Sequence, residues 1–263
     1  MAVALARDIV DGERVISGAH TEISFAATLL AQKMHAPNMK LQLGGTCFLV
    51  NVVDVSVRLP KTSTDHRMLR WAETAHDHME TFMFFGAPGG PSYYDGNRPT
   101  TNKYFVGDKF FVGGIQVDKQ GNANMIGLKA EGRQFAFRGP GTVGIADIIT
   151  VRTPYIFITH HDRRHLVERV DYISMPGPRG WREFRYPGLG PKWIITPKTI
   201  FTFNANGEAQ LWGAFAGVTL EDVRQNTGFE FDLAPDYAEI PEPTDEELST
   251  LRTEVDPDGV LRL

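Results

Sequence analysis

The feature that most constrains the fold is a strand, a helix and a second strand that follow one another near the N-terminus. Residues 14–17 (RVIS) and 39–43 (MKLQL) are typical of short buried strands, and residues 22–34 between them carry apolar side chains at helical spacing. Strands joined through a helix pair in parallel, so the pattern predicts an α/β fold with an open, mostly parallel sheet flanked by helices. Ligands of such sheets bind where the carboxyl ends of strands meet loops, and Gly44 and Gly45 lie at such a point.

Later segments extend this prediction and add an antiparallel patch. Asn204-Ala-Asn-Gly207 separates two alternating segments, which is a strong hairpin signal. Thr21, Thr219 and Thr244 are expected N-caps, the last two as parts of capping boxes. The further predicted elements are a helix at residues 2–10, strands at 110–117, 155–159, 198–203 and 208–212, and helices after Thr219 and Thr244. We expect a single domain over residues 1–263, whose last helix and tail, residues 240–263, pack on its body.

Composition narrows the class of protein. With 263 residues, 42% of them hydrophobic, the chain can build a buried core. No stretch reaches the roughly 20 apolar residues of a membrane span, and Arg7 and Asp8 argue against a signal peptide. The formal charge of −5 argues against nucleic-acid binding, although a local basic cluster can still hold an anionic ligand. Because the lone cysteine, Cys47, fits a reducing compartment, we expect a cytoplasmic enzyme without membrane or nucleic-acid partners.

Four stretches, taken in order, carry a resemblance to a known family. They are residues 11–18 (DGERVISG) with 35–38 (HAPN), residues 114–124 (GIQVDKQGNAN), residues 138–147 (RGPGTVGIAD) with 161–171 (HDRRHLVERVD), and residues 217–219 (GVT) with 227–229 (TGF). Each stretch is weak by itself, but the ordered set resembles the β-subunit of glutaconate CoA-transferase and its relatives, the family I CoA-transferases. The resemblance extends from about residue 8 to residue 232.

The resemblance implies a subunit of a heteromeric enzyme. Its partner would be an α-type subunit, in a heterodimer or an α2β2 assembly, and its substrate an acyl-CoA thioester, with no permanently bound cofactor and no metal. In the family the glycine-rich segment lies beside the active site, which implies CoA contacts from Gly139, Gly141, Gly144 and Asp147. Backbone N–H groups there could hold an anion ahead of a predicted helix at residues 145–149, or the segment could be a tight strand-to-helix turn.

The nucleophile that the family uses is missing from its expected position. In the transferases a glutamate after the second strand attacks the thioester and carries the acyl group covalently. Counting from residues 36–38 (APN) places that glutamate at Gly44, and residues 23–72 contain no glutamate. The resemblance then implies that backbone N–H groups of Gly44, Gly45 and Thr46 stabilise an oxyanion, while the partner supplies a base.

Two relatives indicate what this fold does without the glutamate. One is a heteromeric hydrolase that opens the last steroid ring as its CoA thioester, and the other is a decarboxylase of methylglutaconyl-CoA with cysteine at the glutamate position. Cys47 lies three residues beyond Gly44 and does not take that position. Its thiol could be reactive or could pack as a small buried hydrophobe, since the next three residues are apolar.

A loop at residues 85–102 is rich in glycine, proline and aromatic residues. Its side chains Tyr93, Tyr94 and Arg98 could line a substrate pocket under a lid, or they could form an interface with the partner.

Three further clusters have competing interpretations. The basic cluster at residues 160–165 (HHDRRH) could meet CoA phosphates or the partner, or Arg163 and Arg164 could cover a helix and pair with Glu168. His76 and Glu80 would share a helix face but are too few for a zinc site. The polar side chains of residues 116–124 are expected to be architectural, satisfying the backbone of turns.

The sequence therefore favours an acyl-CoA hydrolase or lyase, for example one that cleaves a carbon–carbon bond by a retro-Claisen reaction in lipid or steroid degradation. One alternative is a genuine acyl-CoA:carboxylate CoA-transferase whose nucleophile lies elsewhere in the chain. A second alternative is a catalytically silent chain that binds CoA and completes the fold of its partner.

Overall fold

The computed structural model describes residues 1–18, 21–43, 51–52, 58–60, 107–142, 145, 151–186 and 188–262. The chain divides into two compact units. Unit 1 comprises Met1–Phe111 and Pro243–Leu263, and unit 2 comprises Val112–Glu242. The expectation of a single domain over the whole chain stays a prediction.

The described residues contain α-helices and β-strands in alternation. The α-helices are α1 (Ala2–Arg7), α2 (Glu22–Met34), α3 (Pro178–Glu183), α4 (Leu220–Asn226) and α5 (Asp245–Thr250). The strands are β1 (Arg14–Ser17), β2 (Lys40–Leu43), β3 (Asn51–Val52), β4 (Gly107–Gly113), β5 (Gln116–Asp118), β6 (Ala123–Asn124), β7 (Gly127–Ala130), β8 (Arg133–Arg138), β9 (Val151–Phe157), β10 (Leu166–Val167), β11 (Ile194–Ile195), β12 (Thr199–Phe203), β13 (Ala209–Ala214) and β14 (Asp232–Glu239).

The sheet of unit 1 confirms the predicted parallel strand–helix–strand arrangement. Its strand order is β4-β1-β2-β3, with β1 parallel to both β2 and β4, and β3 antiparallel to β2. Residues 24–32 of α2 are all buried, so this helix is enclosed rather than exposed along one face. Helix α1 packs against α2. The end of the helix at Met34 agrees with the expected stop before Pro37.

The C-terminal segment is fastened to the N-terminal helix of unit 1. Thr244 and Glu247 form the predicted capping box at the start of α5, in which each side chain accepts a hydrogen bond from the backbone N–H of the other. The Glu247 carboxylate also accepts two hydrogen bonds from the Arg7 guanidinium, at 2.6 and 2.7 Å. These hydrogen bonds lower the pKa of Glu247. A five-residue π-helix, Leu251–Val255, and a 3-10 turn, Val260–Arg262, follow α5.

Unit 2 contains the predicted antiparallel patch. In the order β9-β11-β12-β13-β14, the pairs β9/β11 and β13/β14 are parallel, whereas β12 is antiparallel to both of its neighbours. Strands β12 and β13 form the predicted hairpin, and Asn204 Oδ1 closes its turn by accepting hydrogen bonds from the N–H groups of Asn206 and Glu208. Two smaller sheets, β10-β5-β6 and β7-β8, complete the unit. The predicted fold class is confirmed.

The predicted strand at residues 110–117 is in fact two strands, β4 and β5. The backbone changes partners between them: the N–H of Gly114 donates to the Phe157 carbonyl, and the N–H of Ile115 donates to the Asn124 carbonyl. The chain therefore passes from one sheet into another at a point that a continuous apolar run does not reveal.

Helix ends also differ from the sequence prediction. Helix α1 ends at Arg7 instead of residue 10. Thr21 is the N-cap of α2 by position, but its hydroxyl donates to the Gly18 carbonyl and does not cap the helix. Thr219 caps α4 by accepting from the Asp222 N–H, while the Asp222 carboxylate binds Lys198. The capping box predicted there is therefore only half formed.

Candidate active site

In unit 1, parallel strands end side by side at the carboxyl edge of the sheet. Ser17 at the end of β1 is in register with Leu43 at the end of β2 and with Phe111 on β4. The chain leaves β2 at this edge and continues directly into Gly44. The carboxyl edge of a parallel sheet is where such folds bind their ligands. The predicted catalytic residues of the following loop lie outside the described residues; they are Gly44, Gly45, Thr46 and Cys47.

Buried hydroxyl groups hold the turn that follows β1 at the same edge. Ser17 Oγ lies 3.1 Å from Thr21 Oγ1 and 3.0 Å from Ser24 Oγ, and all three side chains are buried. Thr21 Oγ1 donates to the Gly18 carbonyl at 2.7 Å, and Ser24 Oγ donates to the Thr21 carbonyl at 2.9 Å. Because every hydroxyl has a partner within the chain, the cluster fixes the turn between β1 and α2. Sequence reasoning missed it, although the spacing of these small polar residues is the signal.

His161 occupies a buried polar pocket near the carboxyl ends of β9 and β11 in unit 2. Its Nδ1 lies 2.8 Å from Thr196 Oγ1 and 3.4 Å from Thr199 Oγ1, and its Nε2 lies 3.2 Å from Thr227 Oγ1. Burial, reinforced by the positive charge of Lys198, lowers the pKa of His161 to about 4. The imidazole is therefore neutral near pH 7 and links the strand ends to residue 227.

The rest of the basic cluster forms a turn, not a helix. Asp162 Oδ1 accepts hydrogen bonds from the N–H of Arg164 and from Nδ1 of His165, each at 2.8 Å. Although burial alone would raise it, the hydrogen bonds from His165 and Arg164 bring the pKa of the Asp162 carboxyl well below its usual range. The Arg164 guanidinium pairs with Asp162 at 3.1 Å and not with Glu168, and His160 stacks on His165 with ring centres 5.0 Å apart. Arg163 is exposed.

The polar residues around Asp118 are architectural, as predicted. Asp118 Oδ1 accepts a hydrogen bond from the Asn122 N–H at 3.0 Å, and its Oδ2 accepts one from the Val170 N–H at 3.4 Å. Burial raises the pKa of the Asp118 carboxyl. Asn124 Nδ2 donates to Gln116 Oε1 at 2.8 Å. These side chains connect the second and third stretches of the resemblance through hydrogen bonds inside unit 2.

Gly139 and Gly141 are the predicted CoA-contacting residues that the structure describes. The N–H of Gly139 donates to the Ile126 carbonyl at 2.8 Å, and that of Gly141 donates to the Met125 carbonyl at 3.0 Å. A Cβ on Gly139 would lie 2.5 Å from the Met125 carbonyl oxygen, so this close backbone approach requires glycine. Both N–H groups are engaged within the chain, which favours the tight-turn interpretation for these two atoms. Contact between the segment and CoA stays a prediction.

The remaining predicted contact residues lie outside the described residues; they are Gly144, Asp147, Tyr93, Tyr94 and Arg98. The same holds for His76 and Glu80. In the part of the chain that the structure describes, no three His, Cys, Asp or Glu side chains converge on a possible metal position. None of the described helices combines the length and the apolar character needed to cross a membrane.

Comparison with known proteins supports the resemblance. No family model matches the chain. The chain is 25% identical over 263 aligned residues to the β-subunit of glutaconate CoA-transferase from Acidaminococcus fermentans, an alignment that covers 97% of this chain and 91% of the relative. The solved structure of glutaconate CoA-transferase from the same organism matches with a TM-score of 0.80 at 23% identity, covering 100% of this chain and 95% of that one.

Two further solved structures share the fold. The decarboxylase AibA/AibB matches with a TM-score of 0.78 at 21% identity, and Rhodococcus jostii RHA1 IpdAB matches with a TM-score of 0.70 at 18% identity. Each match covers 98% of this chain and 93% of the other. The chain is thus a homologue of the glutaconate CoA-transferase β-subunit, with the fold of the β-type subunits of family I CoA-transferases.

Proposed function

We propose that this chain is the β-type subunit of a heteromeric enzyme that hydrolyses an acyl-CoA thioester or cleaves a carbon–carbon bond within its acyl group. The observation that carries the proposal is the identity of residue 44. Strand β2 ends at Leu43, in register with Ser17 at the carboxyl edge of a parallel sheet, and the residue that follows is glycine. A glycine has no side chain with which to carry an acyl group between two partners.

Without a carboxylate nucleophile, water can attack the thioester carbonyl directly. A base takes a proton from the water as the oxygen–carbon bond forms, and the carbonyl oxygen becomes an oxyanion. The carbon–sulfur bond then breaks, and the CoA thiolate takes up the proton. Backbone N–H groups of Gly44, Gly45 and Thr46 suit the stabilisation of this oxyanion, and in a retro-Claisen cleavage they would act on a β-keto carbonyl instead. The base would come from the α-type subunit.

The partner in this proposal is an α-type subunit, in a heterodimer or an α2β2 assembly. Support comes from the homologue, which is itself one of the two kinds of chain of a CoA-transferase, and from the matched decarboxylase, which is named for two chains. The substrate is an acyl-CoA, and the single cysteine suits a cytoplasmic location.

A CoA-transferase is the second candidate, because the homologue in Acidaminococcus fermentans is a subunit of one. The two candidates predict different behaviour of a Gly44→Glu variant. Under the hydrolase or lyase proposal, the new carboxylate restores a nucleophile, so the variant should gain transfer of CoA from an acyl-CoA to acetate. Gly45→Glu is the matched control and should not gain it.

The assay uses each variant co-expressed with the α-type subunit, with mass analysis of the CoA products. Wild-type transfer to acetate that neither substitution changes would favour the transferase instead. Full activity of the α-type subunit without this chain would identify this chain as a silent partner.

A further inference from the structure

A polar pocket in unit 2 has no role in the proposed chemistry. Its volume is about 430 Å³, which falls within the ~300–1,000 Å³ of small-molecule pockets. Its lining residues are Gln120, Arg179, Arg182, Ala205, Asn206 and Glu208. They come from the turn after β5, from helix α3 and from the hairpin turn between β12 and β13. Only the fold brings these three segments together.

Close backbone contacts hold the three walls of the pocket in place. Gly177, just before α3, lies so near the Gln120 carbonyl oxygen that an added Cβ would collide with it. An added Cβ on Gly207, in the hairpin turn, would lie 3.0 Å from the backbone nitrogen of Arg179. The start of β13 is tied to the third wall by a 2.7 Å hydrogen bond from the Ala209 N–H to the Lys119 carbonyl. The pocket is therefore preorganised by contacts that do not involve a ligand.

Positive charge dominates the lining. Arg182 donates one long hydrogen bond, of 3.3 Å, to the Ala205 carbonyl, and Arg179 has no ion pair or hydrogen bond to another described side chain. The carboxylate of the lining, Glu208, lies 3.7 Å from the Lys119 ammonium group, which offsets its charge. The local excess of positive charge contrasts with the net charge of −5 for the whole chain. Such a site attracts anions.

We infer that this pocket binds a phosphate group of a small molecule, as a phosphate monoester or a diphosphate. Two guanidinium groups present forked N–H donors that match phosphate oxygens, and together they balance a doubly charged oxyanion better than a single carboxylate. The amide groups of Gln120 and Asn206 add neutral donors. The inference concerns binding alone and does not depend on the reaction proposed at Gly44. The phosphates of CoA and of a free phosphorylated compound are two sources of the same chemistry.

The test is calorimetric titration of the full chain with pyrophosphate, CoA and dephospho-CoA. It compares the wild type with Arg179→Gln and Arg182→Gln. Arg252→Gln is the matched control, because it removes an exposed arginine of unit 1 with the same change in net charge. Each pocket variant should weaken pyrophosphate binding about tenfold or more, whereas the control should bind like the wild type. Arg179→Lys keeps the charge without the fork and should lose less.

The pattern across ligands distinguishes the sources of the phosphate. A loss in the pocket variants for CoA but not for dephospho-CoA assigns the site to the 3′-phosphate of CoA, and a loss for both assigns it to the diphosphate of CoA. A loss for pyrophosphate alone assigns it to another phosphorylated compound. Absence of pyrophosphate binding, or equal binding by wild type and pocket variants, would overturn the inference. Both arginines are exposed, so thermal melting should confirm that the variants fold normally.

Discussion

Protonation of His161 should destabilise unit 2 as the pH falls. The residue is 7% exposed, and burial lowers its pKa to about 4 in the folded protein, whereas the pKa of an unfolded histidine is about 6.5. Between these two values the unfolded chain binds a proton that the folded chain excludes. The stabilising contribution of the neutral imidazole is therefore complete above about pH 6.5 and is lost as the pH falls towards 4.

The size of the effect follows from the difference between the two pKa values. A shift of about 2.5 units at 1.36 kcal/mol per unit gives a loss of ~3 kcal/mol in the free energy of unfolding. This loss is a substantial fraction of the roughly 5–15 kcal/mol by which a typical domain is stable. The slope should not exceed about 1.4 kcal/mol per pH unit for this one proton.

Urea unfolding followed by tryptophan fluorescence can measure this loss. Trp181, Trp193 and Trp212 all lie in unit 2 and report on the unit that contains His161. The comparison is with His161→Gln, which keeps a polar side chain among the threonine hydroxyls but does not titrate. Between about pH 7 and pH 4 the wild type should lose ~3 kcal/mol more than the variant. Parallel pH profiles would refute the reasoning, because they would mean that folding does not shift the pKa of His161.

Other substitutions test the packing of each unit. Gly177→Ala should destabilise unit 2 by about 2 kcal/mol or more, because the added Cβ would collide with the Gln120 carbonyl oxygen; an unchanged denaturation midpoint would contradict this. Phe201→Ala removes a fully buried ring and should lower the free energy of unfolding by about 3–5 kcal/mol; a loss below ~1 kcal/mol would show that the ring is not packed as described. A double-mutant cycle on Arg7 and Glu247, whose side chains approach to 2.6 Å, should give a coupling of about 0.5–1 kcal/mol that shrinks in high salt. Absence of coupling at low salt would argue against the pair.

Elements whose signals are local in sequence could be predicted well. Strand β1 and helix α2 have the predicted bounds, because alternation and helical spacing are set by neighbouring residues. The hairpin turn at Asn204 and the capping box at Thr244 are also as predicted, since turn and cap chemistry depends on only a few side chains.

Elements that depend on distant partners could not be predicted. The change of sheets at Gly114 depends on the carbonyl of Phe157, which lies far away in the sequence. Helix α3 is absent from the sequence prediction, although Pro178 at its first position is a known start signal. Strands β10 and β11 contain two residues each, too few for any periodicity to show.

The same distinction applies to the candidate sites. The position of Gly44 could be inferred because it follows β2 directly. The different fates of neighbouring histidines could not be inferred, since His161 is buried by Thr196 and Thr227 while His160 is exposed. The phosphate pocket was likewise invisible in the sequence, because its arginines meet Gln120 only in the folded chain.

The central claim is that Gly44 marks a chain that has lost CoA transfer. Its most direct test is the release of free CoA thiol by the complex with the α-type subunit, measured with β-keto and unsaturated acyl-CoAs. Each substrate is assayed with and without acetate or succinate as acceptor, and the CoA products are identified by mass. We predict turnover without an acceptor, with free CoA or a shortened acyl-CoA as product. Strict dependence on the acceptor, with acetyl-CoA or succinyl-CoA as product, would contradict the account.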